Sequence, residues 1–293
     1  MRRYIVKNII TRLLLFVVAL PTLYLTAWYG SFLHRMPISL LAIAFSIGAG
    51  IELLKLLEPQ APFARKLGAA ILSGTPSLAA YLGLFLLKGS AISVWLSSAG
   101  AAVMILFLLA SVPKAYASKK RDIQETKFLS SHDALLIMYP GLIASSLMMI
   151  TGSEEIGGQL VIWFSLVVFA NDSFAWLIGI SLGRHRGIFN VSPNKSLEGL
   201  IAGLSGSMAA SLAGPLLFPA LVPANWLVLA LLGGVCGFFV VAGDLFESAL
   251  KRSAEVKDSG DTIPGRGGFL DSFDSIMFTA PAFAFFMAIL GIL

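Results

Sequence analysis

The chain has 293 residues, 57% hydrophobic and only 13% charged, with a mean hydropathy of +0.85, far from the roughly 25% charge of a soluble globular domain. That composition excludes a soluble enzyme. The net charge of +5 is a topology signal and not a nucleic-acid footprint, because the basic residues fall in short loops between apolar runs.

Runs of about 20 apolar residues are long enough to cross a bilayer. They predict an all-α, polytopic integral membrane protein of about nine transmembrane helices, near 9–30, 36–57, 67–88, 91–112, 133–152, 156–183, 198–218, 225–250 and 273–293. The basic start followed by an apolar run without a small-residue cleavage site reads as a retained first helix. With nine spans, every lysine and arginine except Arg35 and Lys88 falls on one side. Such residues collect on the cytoplasmic side, so the N-terminus is expected in the cytoplasm and the C-terminus outside. The one cysteine, Cys236, lies in an apolar run, which excludes an intramolecular disulfide. Residues 1–132 read as an N-terminal transmembrane scaffold of about four helices with a cytoplasmic loop. Residues 133–293 read as a C-terminal catalytic region of about five helices.

Polar residues appear where lipid should be. Asn171 and Asp172 sit inside the sixth span. An intramembrane carboxylate is costly and faces a cavity or a partner, so this pair marks a functional site, with a structural polar contact as the alternative. The following stretch, GRHRGIFNVSPNKSLEG, supplies Arg184, Arg186 and Lys195 as cations and Ser192, Asn194 and Ser196 as donors. A serine-rich turn before a helix offers N–H groups to an anion, or is an ordinary N-cap.

The eighth span ends GDLFESALKR. Asp244, Ser248 and either Lys251 or Arg252 share one helical face, while Glu247 and Lys251, four apart, can pair. The next loop carries Lys257, Asp258, Asp261 and a tight PGRGG turn, where the backbone can approach a ligand. Asp271 and Asp274, three apart, open the ninth span. Acidic oxygen ligands without clustered cysteine or histidine suit Mg²⁺ and not zinc. Carboxylates beside lysines and arginines suit a polyphosphate bound with its metal. His34, His132 and His185 are scattered, which argues against a hydrolase triad, and no Walker-type loop is present.

At these residues the sequence resembles the CDP-diacylglycerol synthase (phosphatidate cytidylyltransferase) family. The family pattern S-x-x-K-R, K-D, P-G-H-G-G, D-R-x-D is matched by Ser248, Lys251 and Arg252, then Lys257 and Asp258, then Pro264, Gly265, Gly267 and Gly268, then Asp271 and Asp274. A second pattern, N-D-x-x-A-Y followed by S-P-x-K-[ST]-x-E-G, is matched by Asn171, Asp172 and Ala175, then Ser192, Pro193, Lys195, Ser196, Glu198 and Gly199. The chain departs from the patterns with Arg266 for histidine, Ser272 for arginine and Trp176 for tyrosine. The likeness covers about the C-terminal half.

The resemblance implies transfer of a cytidylyl group from CTP to phosphatidate, giving CDP-diacylglycerol and pyrophosphate. Its setting would be a multi-pass protein of the cell's inner (cytoplasmic) membrane, with the site facing the cytoplasm. With that reaction, Mg²⁺, with room for a second cation, is expected on Asp244 and Asp271, supported by Asp258 and Asp274. Asp172 would join or orient them. Lys251, Arg252, Lys257 and Arg266 would hold the CTP phosphates or the leaving pyrophosphate. Substrate contacts would come from Asn171, Arg184, Ser192, Lys195, Ser196, Ser248, Gly265, Gly267 and Gly268. No nucleic-acid partner is expected, and a homodimer is left open. A related lipid nucleotidyl- or phosphotransferase with another lipid or nucleotide, and an ion-coupled transporter, are the alternatives.

Overall fold

The computed structural model describes residues 21–22, 24–30, 32–87, 132–153, 155–263 and 267–293. Most of the expected span 9–30, all of 91–112, and Pro264, Gly265 and Arg266 lie outside the described residues.

The described residues are all-helical, with isolated bridges and no strand. The helices are α1 (Phe32–Leu57), α2 (Phe63–Leu87), α3 (His132–Leu136), a π-helical turn (Ile137–Ile143), α4 (Ala144–Thr151), α5 (Gly157–Ser181), α6 (Leu197–Leu212), the short α7 (Gly214–Leu217), α8 (Trp226–Ser253) and α9 (Phe269–Ile289). Seven stretches among them are long and apolar enough to cross a membrane, so the chain is a multi-pass membrane protein. They correspond to the seven expected spans that fall within the described residues.

The start of the last span moves for a reason that matters to the site. The apolar run alone places its start near 273, whereas α9 begins at Phe269. The cause is local: Gly268 is its N-cap, and the Asp271 carboxylate accepts from Gly268 N at 2.8 Å, which satisfies an orphan donor of the first turn. Asn225 and Ser196 cap α8 and α6 through Val228 N at 3.3 Å and Gly199 N at 3.1 Å.

Helices approach closely where side chains are small, as expected without a hydrophobic drive between helices in lipid. Gly199, Gly203 and Gly206 of α6 face the α5 backbone, and a Cβ on Gly206 would stand 2.8 Å from Ala170 O. Gly243 of α8 does the same for α9: a Cβ there would stand 2.8 Å from Asp274 O and 2.9 Å from Phe278 Cβ. That contact brings Asp244 beside Asp274. Trp163, Phe164 and Phe283 fill the other end of the core, with Phe283 5.3 Å from Trp163 and 5.2 Å from Phe164 between ring centroids.

Asn171 stitches α5, α6 and α8 together. It is 1% exposed, and its Nδ2 donates to Ser207 Oγ at 3.1 Å and Gly237 O at 3.3 Å. Asn171 makes a buried interhelical contact, the structural alternative for this pair, and both its donor hydrogens go to the neighbouring helices. Asn171→Leu should lower the melting midpoint in detergent by the equivalent of about 1–2 kcal/mol, as read by a thermal unfolding assay. An unchanged midpoint would contradict the assignment.

A polar clasp joins α1, α2 and α3 where their ends leave the apolar region. Arg65 donates to both oxygens of Glu58, at 3.0 and 3.2 Å, and His132 Nδ1 lies 2.7 Å from Glu58 Oε1. Donation from Arg65 first, and then the His132 contact, pulls the Glu58 carboxyl from its ordinary 4.5 down to about 2. A depressed carboxyl contributes its full stability above its unfolded value and loses it as pH falls toward its folded value. The difference in melting midpoint between the protein and Glu58→Gln should therefore be largest near pH 7 and shrink as pH is lowered from 5 toward 3. A constant difference over that range would remove Glu58 ionisation from the account.

Candidate active site

The site forms where the C-terminal ends of α1, α5 and α8 meet the N-terminal ends of α6 and α9. Its centre is Lys251. The ammonium lies 2.5 Å from Glu247 Oε2 on the same helix and 2.6 Å from Asp271 Oδ1 on α9. The three side chains are 13%, 1% and 6% exposed, so the pairs are shielded from water and screened by salt less than surface ion pairs. The other Asp271 oxygen, Oδ2, accepts from Ser259 N at 2.8 Å, Ser259 Oγ at 2.9 Å and Gly268 N at 2.8 Å. Asp271 thus anchors a lysine with one oxygen and the preceding loop with the other.

One turn further into the bundle, Asp244, Glu247 and Asp274 each offer a carboxylate oxygen, and these oxygens lie within 4.8 Å of one another. Glu247 and Asp274 are buried, at 1% and 7% exposure. Glu247 Oε1 has no hydrogen-bond partner among the described residues, although buried polar atoms are ordinarily satisfied. An orphaned, buried carboxylate oxygen among three converging hard oxygen donors fits a divalent cation such as Mg²⁺. The charges of Asp244 and of the exposed Asp172 reach Asp274 electrostatically.

The second signature stretch closes on this cluster. Lys195 Nζ lies 2.5 Å from Asp244 Oδ2, and Ser248 Oγ donates to Asp244 Oδ1 at 3.3 Å. The loop that delivers Lys195 is internally braced. Arg186 donates to Gly179 O at 2.7 Å and Asn194 O at 3.0 Å, and Glu198 accepts from the backbone N–H of Arg184 at 3.1 Å and of His185 at 3.2 Å. Ser196 is 3% exposed and its hydroxyl serves as the N-cap of α6, so the N-cap reading holds for it. Ser192 is half-buried, and the Arg184 side chain is exposed.

The expected metal ligands fall into two groups. Asp244 and Asp274 converge with Glu247. Asp271 is occupied by Lys251 and the loop, and Asp258, Lys257 and Arg252 are exposed at the rim, with Arg252 donating to Val256 O at 3.2 Å. Gly267, at φ +104°, adopts a conformation that favours glycine, and Gly268 caps α9. Ser272 stands where the family pattern has arginine, and its hydroxyl is shielded without a hydrogen-bond partner among the described residues.

Two residues escape the motif-based reading. One is Glu247, visible only as a partner four residues from Lys251. The other is Tyr139, on the π-helical turn, fully buried and edge-on to Phe246 at 5.0 Å and Phe278 at 5.4 Å. Its hydroxyl has no partner among the described residues and feels the charges of Asp274, Glu247, Asp271 and Asp244. Pro140 lies inside this turn and lacks the N–H of a regular helix, the one local signal for the π-turn that presents Tyr139.

A family model described as "Cytidylyltransferase family" matches residues 10–290. The chain is 40% identical over 162 residues to the uncharacterized protein YnbB of Escherichia coli K12, covering 55% of this chain and 50% of that one. It is 32% identical over 155 residues to the phosphatidate cytidylyltransferase of Bacillus subtilis, covering 53% and 57%. The phosphatidate cytidylyltransferase of Staphylococcus haemolyticus is 31% identical over 159 residues, covering 54% and 60%. The matched segment thus spans only half to three-fifths of the length of these curated relatives.

If the orphaned Glu247 oxygen contributes to a cation site, Glu247→Gln should weaken Mn²⁺ binding to the purified protein at least about tenfold, since losing even an outer-shell partner of a ligand costs about that much, as measured by the free-Mn²⁺ EPR signal. Unchanged binding by a folded variant would remove Glu247 from the site.

Proposed function

The chain belongs to the cytidylyltransferase family, and on that premise we propose that it is a CTP:phosphatidate cytidylyltransferase. The observation that carries this reading is the meeting of the two signature stretches. Lys195 reaches Asp244 from the α5–α6 loop, directly above the cluster that Lys251 organises. This gives one face with hard anionic donors for a cation and ammonium groups for phosphate oxygens.

In this reading an oxygen of the phosphatidate phosphate attacks the α-phosphorus of CTP. A phosphorus–oxygen bond forms there, and the bond to the β-phosphate bridging oxygen breaks, releasing pyrophosphate. The attacking group is already an anion, so the protein need supply no nucleophile. Its work is positioning and charge neutralisation. Lys195 leaves Asp244 for a substrate phosphate when one is present. Lys251, held between Glu247 and Asp271, faces the polyphosphate, and the exposed Arg252 and Lys257 extend the positive rim. Mg²⁺ held by Asp244, Glu247 and Asp274 would neutralise charge on the CTP phosphates. The ends of α1, α5 and α8 that gather here are the ones flanked by lysine and arginine, which supports a site on the cytoplasmic side of the inner membrane. The lipid then reaches the site sideways between helices while CTP arrives from water.

A second reading, a nucleotidyltransferase for another lipid or nucleotide, is favoured by Ser272, which removes one positive charge from the signature. Purified protein in detergent with CTP, phosphatidate and Mg²⁺ should release pyrophosphate only when both substrates are present, and EDTA should abolish the release. Asp274→Asn should lower kcat at least about a hundredfold, as losses of preorganised charge do. Release with a different nucleotide or lipid, and none with this pair, would select the second reading. No release from folded protein with any pair would overturn both.

A further inference from the structure

Glu52 lies near the end of α1, in the half of the chain that reads as scaffold. It is 2% exposed. Burying a carboxylate is costly unless donors surround it, and here the donors come from about two hundred residues away. Ser259 Oγ and Leu270 N each lie 3.0 Å from Glu52 Oε2, and Thr262 Oγ1 lies 2.9 Å from Oε1. The chain has been stripped of side chains to let them in. A Cβ on Gly260 would stand 2.7 Å from Glu52 Oε1, and one on Gly268 would collide with Oε2 and with Ser259 Oγ. The α8–α9 loop is wrapped around this one carboxyl group.

The contact continues into the site. The same Ser259 hydroxyl, with one proton shared between the two carboxylates, is 2.9 Å from Asp271 Oδ2, while Asp271 Oδ1 holds Lys251 and Lys251 holds Glu247. A chain of polar contacts therefore runs Glu52, Ser259, Asp271, Lys251, Glu247. It links a helix of the N-terminal half to the carboxylate cluster of the C-terminal half.

We propose that Glu52 is a positioning residue for nucleotidyl transfer, an inference that rests on the function proposed above. It touches no reacting atom. It fixes the loop that carries Lys257 and Asp258, and through Ser259 it fixes the orientation in which Asp271 presents Lys251. A loop ordered before the nucleotide arrives spares the ordering cost at binding and keeps the reacting groups aligned, where a displacement of about 1 Å costs a large factor in rate. A clamp that served folding alone would act on stability and leave the chemical step alone.

Glu52→Gln separates the two, because it keeps the volume but turns an acceptor oxygen into an NH₂ that must face a donor. The expected result is a fall in kcat for pyrophosphate release of at least tenfold in protein that remains folded at the assay temperature, with KM for the lipid within a factor of two of the parent. Ser259→Ala should fall similarly, and the double variant should be no slower than the slower single variant, as for residues acting through one another. A second readout does not depend on the substrate. Cys236 is the protein's one cysteine and is buried, so a nitroxide on Asp261→Cys reports the loop alone. Its EPR spectrum should show faster motion when Glu52→Gln is added. Parent-like kcat with an unchanged spectrum would overturn the proposal, and so would a double variant whose losses simply multiply. If the parent protein releases no pyrophosphate at all, the proposed function fails by itself, and the spin-label spectrum still decides the role of Glu52.

Discussion

The site depends on one ammonium group held between two carboxylates from different helices. Lys251 is almost sealed from water between Glu247 of α8 and Asp271 of α9. Removing either carboxylate would leave a poorly solvated charge, which is far more costly than losing an exposed pair. Around it stand Asp244 and Asp274, with Lys195 as the second cation. Four carboxylates face two ammonium groups there, before the exposed Asp172 is counted. In the function proposed above, a cation among these carboxylates would offset their charge, and the orphaned Glu247 oxygen is a donor it could use.

Backbone approach makes this crowding attainable. Gly243 lets α9 close on α8 at the level of Asp244 and Asp274, and the glycine stripe of α6 lets α5 and α6 do the same behind Lys195. Asn171 holds α5, α6 and α8 in register from within. These contacts lie away from the reacting groups, yet each sets the distance between helices that bring the charges together. The N-terminal region reaches the α8–α9 loop through Glu52 on α1, and Tyr139 on the π-turn packs against Phe246 and Phe278.

Much of this is legible in the sequence. Apolar runs of bilayer length locate the described spans, and Lys251, Asp274 and Lys195 in their signatures, with Asp244 on the helical face of Ser248 and Lys251, point to one site. Three things are not legible, each for a physical reason. The start of α9 is set by a capping carboxylate and not by hydrophobicity, so the bracing of the loop and of Lys251 by Asp271 is hidden in the sequence. Glu247 looks like a surface i, i+4 partner because periodicity gives the face of a helix but not its burial. Glu52 sits in an apolar run with nothing near it in sequence to explain it. Its partners are more than two hundred residues away, and only the cost of an intramembrane carboxylate signals that it has any.

The most direct test of the account is to locate the cation. Crystals grown with Mn²⁺ and CTP, measured at the manganese absorption edge, should show an anomalous peak among Asp244, Glu247 and Asp274, with Lys251 still between Glu247 and Asp271. A peak on Asp258 and Asp271 with Glu247 uninvolved, or no peak from protein that binds Mn²⁺ in solution, would contradict it.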